Sequence, residues 1–156
     1  MPSQAASSSP DPRLERVPPH SEEAERALLG SILIDSDRVL DICMEKGIIP
    51  DSFYIPAHKL IYKAIFEMAK NIKAIDALTL SEFLKTSGDL EKVGGMTAIY
   101  RLVDATPTSA HAEYYADIIR QKHILRDVLL SVRRIETVSY THLRAHETPE
   151  HLVCRL

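Results

Sequence analysis

Four residues near the C-terminus are of the types that bind transition metals in proteins. His142 and His146 stand four positions apart, a spacing that places two side chains on one face of a helix, and His151 and Cys154 follow them. Imidazole nitrogens and thiolates are the usual ligands of zinc, so this pattern taken alone predicts a zinc site. The residues around it lead to a different interpretation.

The segment that holds these four residues, VSYTHLRAHETPEHLVCRL from 138 to 156, differs in character from the chain before it. Its first part resembles, codon by codon, the translation of a transposase-type sequencing-library adapter. Its last part, 151–156, resembles the flow-cell adapter that follows the sample index in such libraries. We therefore interpret 138–156 as a non-native, adapter-derived tail and exclude it from reasoning about the fold. No metal site is then expected, and the native sequence is expected to continue differently after Thr137.

The remaining titratable residues suggest no catalytic group. His58 and His123 have no cysteine, serine or paired carboxylate nearby at a spacing that would activate a nucleophile, so we interpret both as surface or packing residues. Asp35, Asp37 and Asp76 stand next to predicted helix starts, where an acidic side chain is favoured as a cap or turn residue. No catalytic residue is assigned.

A nucleotide site is not expected within this chain either. The phosphate-binding loop of ATPases has the form G-x-x-x-x-G-K-[ST], and the pair Gly94 and Gly95 lacks the lysine and the hydroxyl residue of that loop. Without such a loop no cofactor is predicted here.

Charge and composition bear on the class of partner. The chain has 19 basic and 22 acidic residues, a formal net charge of −3. Proteins that bind nucleic acid through phosphates show a basic excess or a basic stripe, so direct DNA binding is disfavoured. Cys43 is the only cysteine before the tail, which fits a reducing compartment. No segment approaches the roughly 20 apolar residues needed to cross a bilayer, and we expect a cytoplasmic protein.

The elements that would position these residues are helices. Residues 1–17 are rich in serine and proline and are expected to form a disordered arm. Residues 18–137 are expected to form one domain with an all-α fold, a small orthogonal bundle of about five to six helices that ends in a long helix. The predicted helix starts are Ser21, Ser36, Pro56, Thr79 with a capping-box glutamate at 82, and Ser109, with a further helix around 98–103. Breaks are predicted at Gly47, Gly88 and Pro107.

The last predicted helix, from Ser109 to Thr137, contains no glycine or proline and would extend roughly 40 Å. An apolar seam runs along one side of it at spacings of three, four or seven: Tyr115, Ile118, Leu125, Leu129 and Val132. A helix this long exceeds what so small a core can cover, so the seam is predicted to be a partner interface. Packing against a following helix of the same protein is an equally open interpretation.

Five blocks of sequence, in a fixed order, resemble one known family. They are VPPHSEEAERALLGSIL (17–33), FYIPAHKLIYKAI (53–65), AIDALTLSEFL (74–84), GGMTAIYRLVDATPT (94–108) and YYADIIRQKHILRDVL (114–129). Together they resemble the N-terminal domain of the bacterial DnaB-type replicative DNA helicase, in which a proline pair, E-A-E and L-G-[SA]-[LI]-[LI] recur. They cover most of residues 18–137, which makes the resemblance much more specific than any single block.

The resemblance implies that the parent protein is a hexameric, ATP-driven helicase that unwinds duplex DNA. ATP, Mg and DNA would be handled by a RecA-like C-terminal domain that this chain does not contain, so the chain alone is expected to be non-catalytic. In such helicases the N-terminal domains form a collar in which helical hairpins pair between subunits, and the collar contacts primase and, in some bacteria, helicase loaders. The helix from Ser109 to Thr137 would be the first arm of that hairpin.

Two other functions are open at this stage. A stand-alone helical adaptor or loader-like interaction module predicts a stop codon soon after the last helix, instead of a linker and an ATPase domain. A DNA-binding helical domain predicts an affinity that falls steeply with salt, and the acidic balance argues against it.

Overall fold

A computed structural model describes the backbone of residues 16–153 and the side chains of residues 16–139. Most of the predicted arm, 1–17, lies outside the described residues. The side chains of His142, His146, His151 and Cys154 also lie outside them, so the zinc pattern in the tail is not addressed by the structure.

All regular structure in the described part is helical. The helices are α1 (Glu22–Ile34), α2 (Ser36–Glu45), α3 (Pro56–Lys70), α4 (Ala77–Ser87), α5 (Gly95–Asp104) and α6 (Ala112–Val153), with short 3-10 turns at Pro50–Ser52 and Glu91–Val93. α1 is the central helix, since it packs against α2, α3, α5 and α6. This confirms the prediction of an all-α bundle of about five to six helices that ends in a long helix. Within the described residues no helix is both long and apolar enough to cross a membrane.

The predicted helix starts are correct for α1 and α3. The Ser21 hydroxyl accepts a hydrogen bond from the Ala24 amide at 3.2 Å, and acidic residues fill the first turn of α1. Pro56 is the first residue of α3, a position at which a helix needs no N–H donor.

The start of α4 differs from the prediction. Asp76, three residues before Thr79, is the N-cap, and the two residues form a reciprocal capping box in which Asp76 accepts from the Thr79 amide at 2.8 Å. Thr79 was therefore wrongly predicted as the cap with Glu82 as its partner. Either pair has the required spacing, and Asp76 is favoured because aspartate at N-cap also interacts with the helix dipole. The predicted end at Gly88 is correct, with a left-handed φ of 80°.

The core lies between α1 and the helices around it. Its largest fully buried side chains come from every α-helix except α2 and, for Phe53, from the turn before α3: Tyr62, Phe53, Leu28, Leu29, Ile32, Ile61, Ile65, Met68, Leu80, Leu84, Ile99 and Ile119. α1 and α5 approach especially closely, because a Cβ added at Gly30 would overlap Thr106 Oγ1 and the Leu102 carbonyl oxygen. Gly30 therefore sets the distance between these two helices.

α6 begins at Ala112, three residues after the predicted start at Ser109. The difference has a structural cause, because Arg38 Nη2 donates to both Ser109 O (2.6 Å) and Ser109 Oγ (2.9 Å). The serine hydroxyl is thus occupied by α2 and does not cap α6. The backbone of α6 stays helical through Val153, beyond the predicted boundary at Thr137, and residues 138–148 contain no glycine or proline that would end it.

Candidate protein–protein interface

The first turns of α6 are anchored in the domain on one side of the helix. Ala112, Ala116 and Ile119 are buried in the core, with exposed fractions of 0, 0 and 2%. Lys46, the residue directly after α2, reinforces this attachment, since its Nζ lies 3.0 Å from Asp117 and 3.1 Å from Glu113. The hydrogen bonds that Lys46 donates to these carboxylates, first to Asp117 and then to Glu113, raise the pKa of Lys46.

The other side of α6 carries exposed apolar side chains, which we call the outer stripe: Ile124, Leu125, Val128, Leu129, Val132 and Ile135. At about 100° per residue these positions fall on one face of the helix, roughly opposite to Ala112, Ala116 and Ile119. Each side chain of the outer stripe is between 46 and 65% exposed. Six neighbouring apolar side chains on one face form a patch of the kind that marks interaction sites.

The five residues of the predicted seam divide into two groups. Tyr115 and Ile118 are half-buried and pack against the core, so this domain already covers part of them. Leu125, Leu129 and Val132 are 48, 47 and 46% exposed and belong to the outer stripe. Their role in binding a partner stays a prediction.

Sequence reasoning did not include Ile124, Val128 and Ile135 in the seam. Their spacing of four and seven was the available signal, because it places them on the same face as Leu125 and Val132. Leu130 is also exposed, at 54%, but lies on the opposite face of α6, in line with the core-facing residues.

Every described residue of α6 beyond Arg126, from 127 to 139, is exposed. Arg126 itself is half-buried and contacts two other segments. Its Nη1 donates to Pro19 O at 2.7 Å, and its Nη2 donates to Ser52 O at 2.6 Å. The guanidinium also lies 5.8 Å from the centre of the Tyr54 ring, on which His20 stacks at 4.2 Å. We call this group of five residues the Arg126 latch.

A buried acidic residue supports the turn that carries Tyr54. Glu25 is 2% exposed, and its carboxylate accepts hydrogen bonds from the Tyr54 amide (2.6 Å), the Ile55 amide (3.2 Å) and His58 Nδ1 (2.8 Å). His58 is thus a buried packing residue bonded to Glu25, in agreement with its interpretation from sequence. Glu25 was missed, although an acidic residue on the apolar side of the first helix, next to Ala24 and Leu28, was a signal for a buried polar contact.

The other candidates from sequence show no arrangement for catalysis. His123 lies 3.5 Å from Asp127 on its own helix, and Asp35 pairs with Arg38 at 2.8 Å. Asp35 holds the N-cap position of α2 but makes no side-chain capping hydrogen bond, whereas Asp76 does cap α4. Among the described residues no group of three His, Cys, Asp or Glu side chains is arranged to hold a metal.

Cys43 is buried beside Tyr62, and burial raises the pKa of its thiol to about 12. Such a thiol is unreactive at neutral pH. The Tyr62 hydroxyl donates to Ile48 O at 3.0 Å, and burial raises its pKa as well. Both groups are therefore structural.

The geometry describes a helical domain that projects an apolar helix face, and comparison with known proteins identifies the same domain type. A model of the family described as "DnaB-like helicase N terminal domain" matches residues 17–121. The curated replicative DNA helicase DnaB of Geobacillus stearothermophilus is 36% identical over 127 residues, and that of Haemophilus influenzae is 38% identical over 125 residues. The matches cover 81 and 80% of this chain but only 28 and 26% of those proteins.

Solved structures agree with the sequence comparison. The crystal structure of the N-terminal domain of DnaB helicase from Mycobacterium tuberculosis superposes with a TM-score of 0.75 at 33% identity, covering 80% of this chain and 85% of that one. A DnaB-like replicative helicase, whose structure was described together with its interactions with primase, gives 0.64 at 20% identity over 77% of this chain and 28% of that one, which bears on the fold alone. The chain therefore belongs to the family of DnaB-like helicase N-terminal domains.

Proposed function

We propose that this chain is the assembly domain of a replicative DNA helicase and acts by binding other proteins. The observation that supports this proposal is the outer stripe, an apolar helix face that the domain itself leaves uncovered. In this proposal the stripe pairs with a second copy of the chain, within a hexamer. Primase, and in some bacteria a helicase loader, would bind the resulting collar, and the protein would work in the bacterial cytoplasm.

The energetics predict that pairing by this chain alone is weak. Burying a half-exposed aliphatic side chain stabilises a complex by about 1 kcal/mol, so two facing stripes of six residues would contribute roughly 10 kcal/mol. Association costs an estimated 4–15 kcal/mol in lost freedom of motion. A second hairpin arm in the parent protein would add apolar area and tighten the pairing.

The outer stripe can be tested with a matched pair of neighbouring leucines. Leu129→Asp places a charge in the stripe and should weaken self-association at least tenfold, as measured by sedimentation equilibrium over a range of concentrations. Leu130→Asp is the control, because Leu130 is equally exposed but lies on the opposite face of α6. Equal effects of the two variants, or none from Leu129→Asp, would refute pairing through the stripe.

The proposal that this domain belongs to a longer helicase can be tested by sequencing its gene. Sequencing the source locus across the codon for Thr137 should show a second hairpin helix, a linker and a phosphate-binding loop, in which ATP and Mg would bind. The 156-residue chain alone should show no ATP hydrolysis. A stop codon soon after the codon for Thr137 would instead make this a stand-alone adaptor. If residues 138–156 proved to be genomic, zinc binding by the tail would have to be tested.

A further inference from the structure

The direction in which α6 leaves the domain depends on where the helix is held. Ala112, Ala116 and Ile119 attach its first turns to the core. Arg126, seven residues or about 10 Å further along the axis, is hydrogen-bonded to two other segments, and beyond it the described side chains are all exposed. Two points of attachment define the direction of a rod, whereas the first alone would allow it to tilt.

The chemistry at the second attachment is specific to arginine. The two terminal nitrogens of Arg126 reach carbonyls in separate segments, Pro19 just before α1 and Ser52 at the end of the first 3-10 turn. A planar guanidinium has several donors in a rigid fork and stacks on aromatic rings, while a lysine ammonium is a single point of charge. Arg126 therefore joins α6, the entry to α1 and the Tyr54 turn at one place.

The latch is itself held by buried groups. The Tyr54 backbone amide donates to the buried carboxylate of Glu25, and the Tyr54 ring stacks on His20, whose Nδ1 lies 2.8 Å from Pro18 O. The segment entering α1 and the turn before α3 are thus fixed to each other as well as to Arg126. A contact with so many fixed partners can resist tilting of the helix.

We infer that Arg126 is the positioning residue of the outer stripe: by holding α6 to residues 19, 52 and 54, it sets the direction in which the stripe is presented to a partner. The inference rests on the proposed function, because it concerns the surface that pairs. Arg126 lies about 100° around the helix from Leu125 and is not part of the stripe. Its effect on pairing is therefore indirect.

The direct test measures the orientation of α6 in the full chain. Spin labels on Lys85→Cys of α4 and Glu136→Cys of α6, two exposed residues, report the distance between the body and the projecting part of the helix. Cys154→Ser removes the tail thiol, and the buried Cys43 should stay unlabelled. Glu136 is about 25 Å beyond Ile119, where the helix would pivot once the Arg126 contacts are lost, so a tilt of 20° would move it by about 9 Å.

We expect a single narrow distance distribution in the parent chain and a broadened or shifted one in Arg126→Gln. Arg126→Lys should lie between them, because it retains the charge near Tyr54 but can reach only one carbonyl at a time. Arg133→Gln is the control, an exposed arginine on the same helix with no side-chain partner among the described residues, and it should leave the distribution unchanged. Circular dichroism and thermal melting establish that each variant is folded.

A second readout separates this inference from the proposed function. If the stripe pairs, Arg126→Gln should weaken self-association about tenfold and Arg133→Gln should not. A parent chain that does not self-associate would refute pairing, while the distance measurement would still decide the role of Arg126. A folded Arg126→Gln protein with the parental distance distribution would overturn the inference.

Discussion

At the scale of single residues, the glycine of the LLGSIL stretch, Gly30, is required because a larger side chain would not fit between α1 and the end of α5. It lies in the LLGSIL stretch of α1, where it faces Thr106 Oγ1 and the Leu102 carbonyl at the end of α5. Gly30→Ala should destabilise the domain by about 3 kcal/mol, because overpacking costs roughly 1–3 kcal/mol and occasionally more, and one of the opposing atoms is backbone. Urea denaturation followed by circular dichroism measures this change.

Gly88→Ala is the matched control for this prediction. Gly88 ends α4 with φ of +80° and open space around the position of a Cβ, so only backbone strain of about 1 kcal/mol is expected. A Gly30→Ala variant no less stable than Gly88→Ala would show that α1 and α5 can separate at little cost. The double variant Gly30→Ala, Thr106→Ala should recover only part of the loss, since the Leu102 carbonyl stays in place.

Residue types predicted the contacts that are local in the chain and missed those between distant residues. A serine cap at Ser21 and a left-handed glycine at Gly88 follow from local preferences, which a sequence displays directly. Ile72, by contrast, has a φ of +52° at the end of α3, where glycine is the expected residue, and its side chain is 95% exposed. The bonds of Glu25 to residues 54, 55 and 58 span about thirty positions, and local patterns carry no information on such pairs.

At the scale of elements, α6 has two apolar faces that serve different purposes. Its first turns bury small residues, Ala112 and Ala116, against the core, whereas the outer stripe carries large aliphatic residues on the opposite side. Sequence periodicity detected one apolar side but merged the half-buried Tyr115 and Ile118 with the exposed Leu125. Periodicity places a residue on a face, but which face is covered depends on the packing of other elements.

The predicted start of α6 was wrong because of a tertiary contact, whereas the start of α4 was wrong because of a local choice between two possible caps. Arg38 reaches across from α2 to Ser109, so the serine cannot cap α6, and that pairing spans seventy-one positions in the chain. The starts of α1 and α3 were predicted correctly because each is decided within one turn of the helix.

At the scale of the whole molecule, the compact part of the bundle should not depend on the projecting part of α6. α1 contacts α2, α3, α5 and α6, and the buried core residues end at Ile119. Arg126 is the outermost half-buried residue of α6, and residues 127–139 are exposed. Residues far along α6 therefore add helix length and interaction surface without adding to the core.

Two truncations test this division and the proposed boundary of the tail. A chain ending at Thr137 should unfold within about 2 °C of the 156-residue chain, because exposed residues beyond the core contribute little to the free energy of unfolding. A chain ending at Gln121 retains Ile119 but loses Arg126, and its unfolding temperature should fall by roughly 5 °C or more, since hydrogen bonds from a charged group contribute about 1.5–3 kcal/mol each. Scanning calorimetry measures both unfolding temperatures, at a protein concentration low enough that pairing is negligible. A large loss on truncation at Thr137 would mean that residues 138–156 stabilise the domain, which we do not expect of an adapter-derived tail.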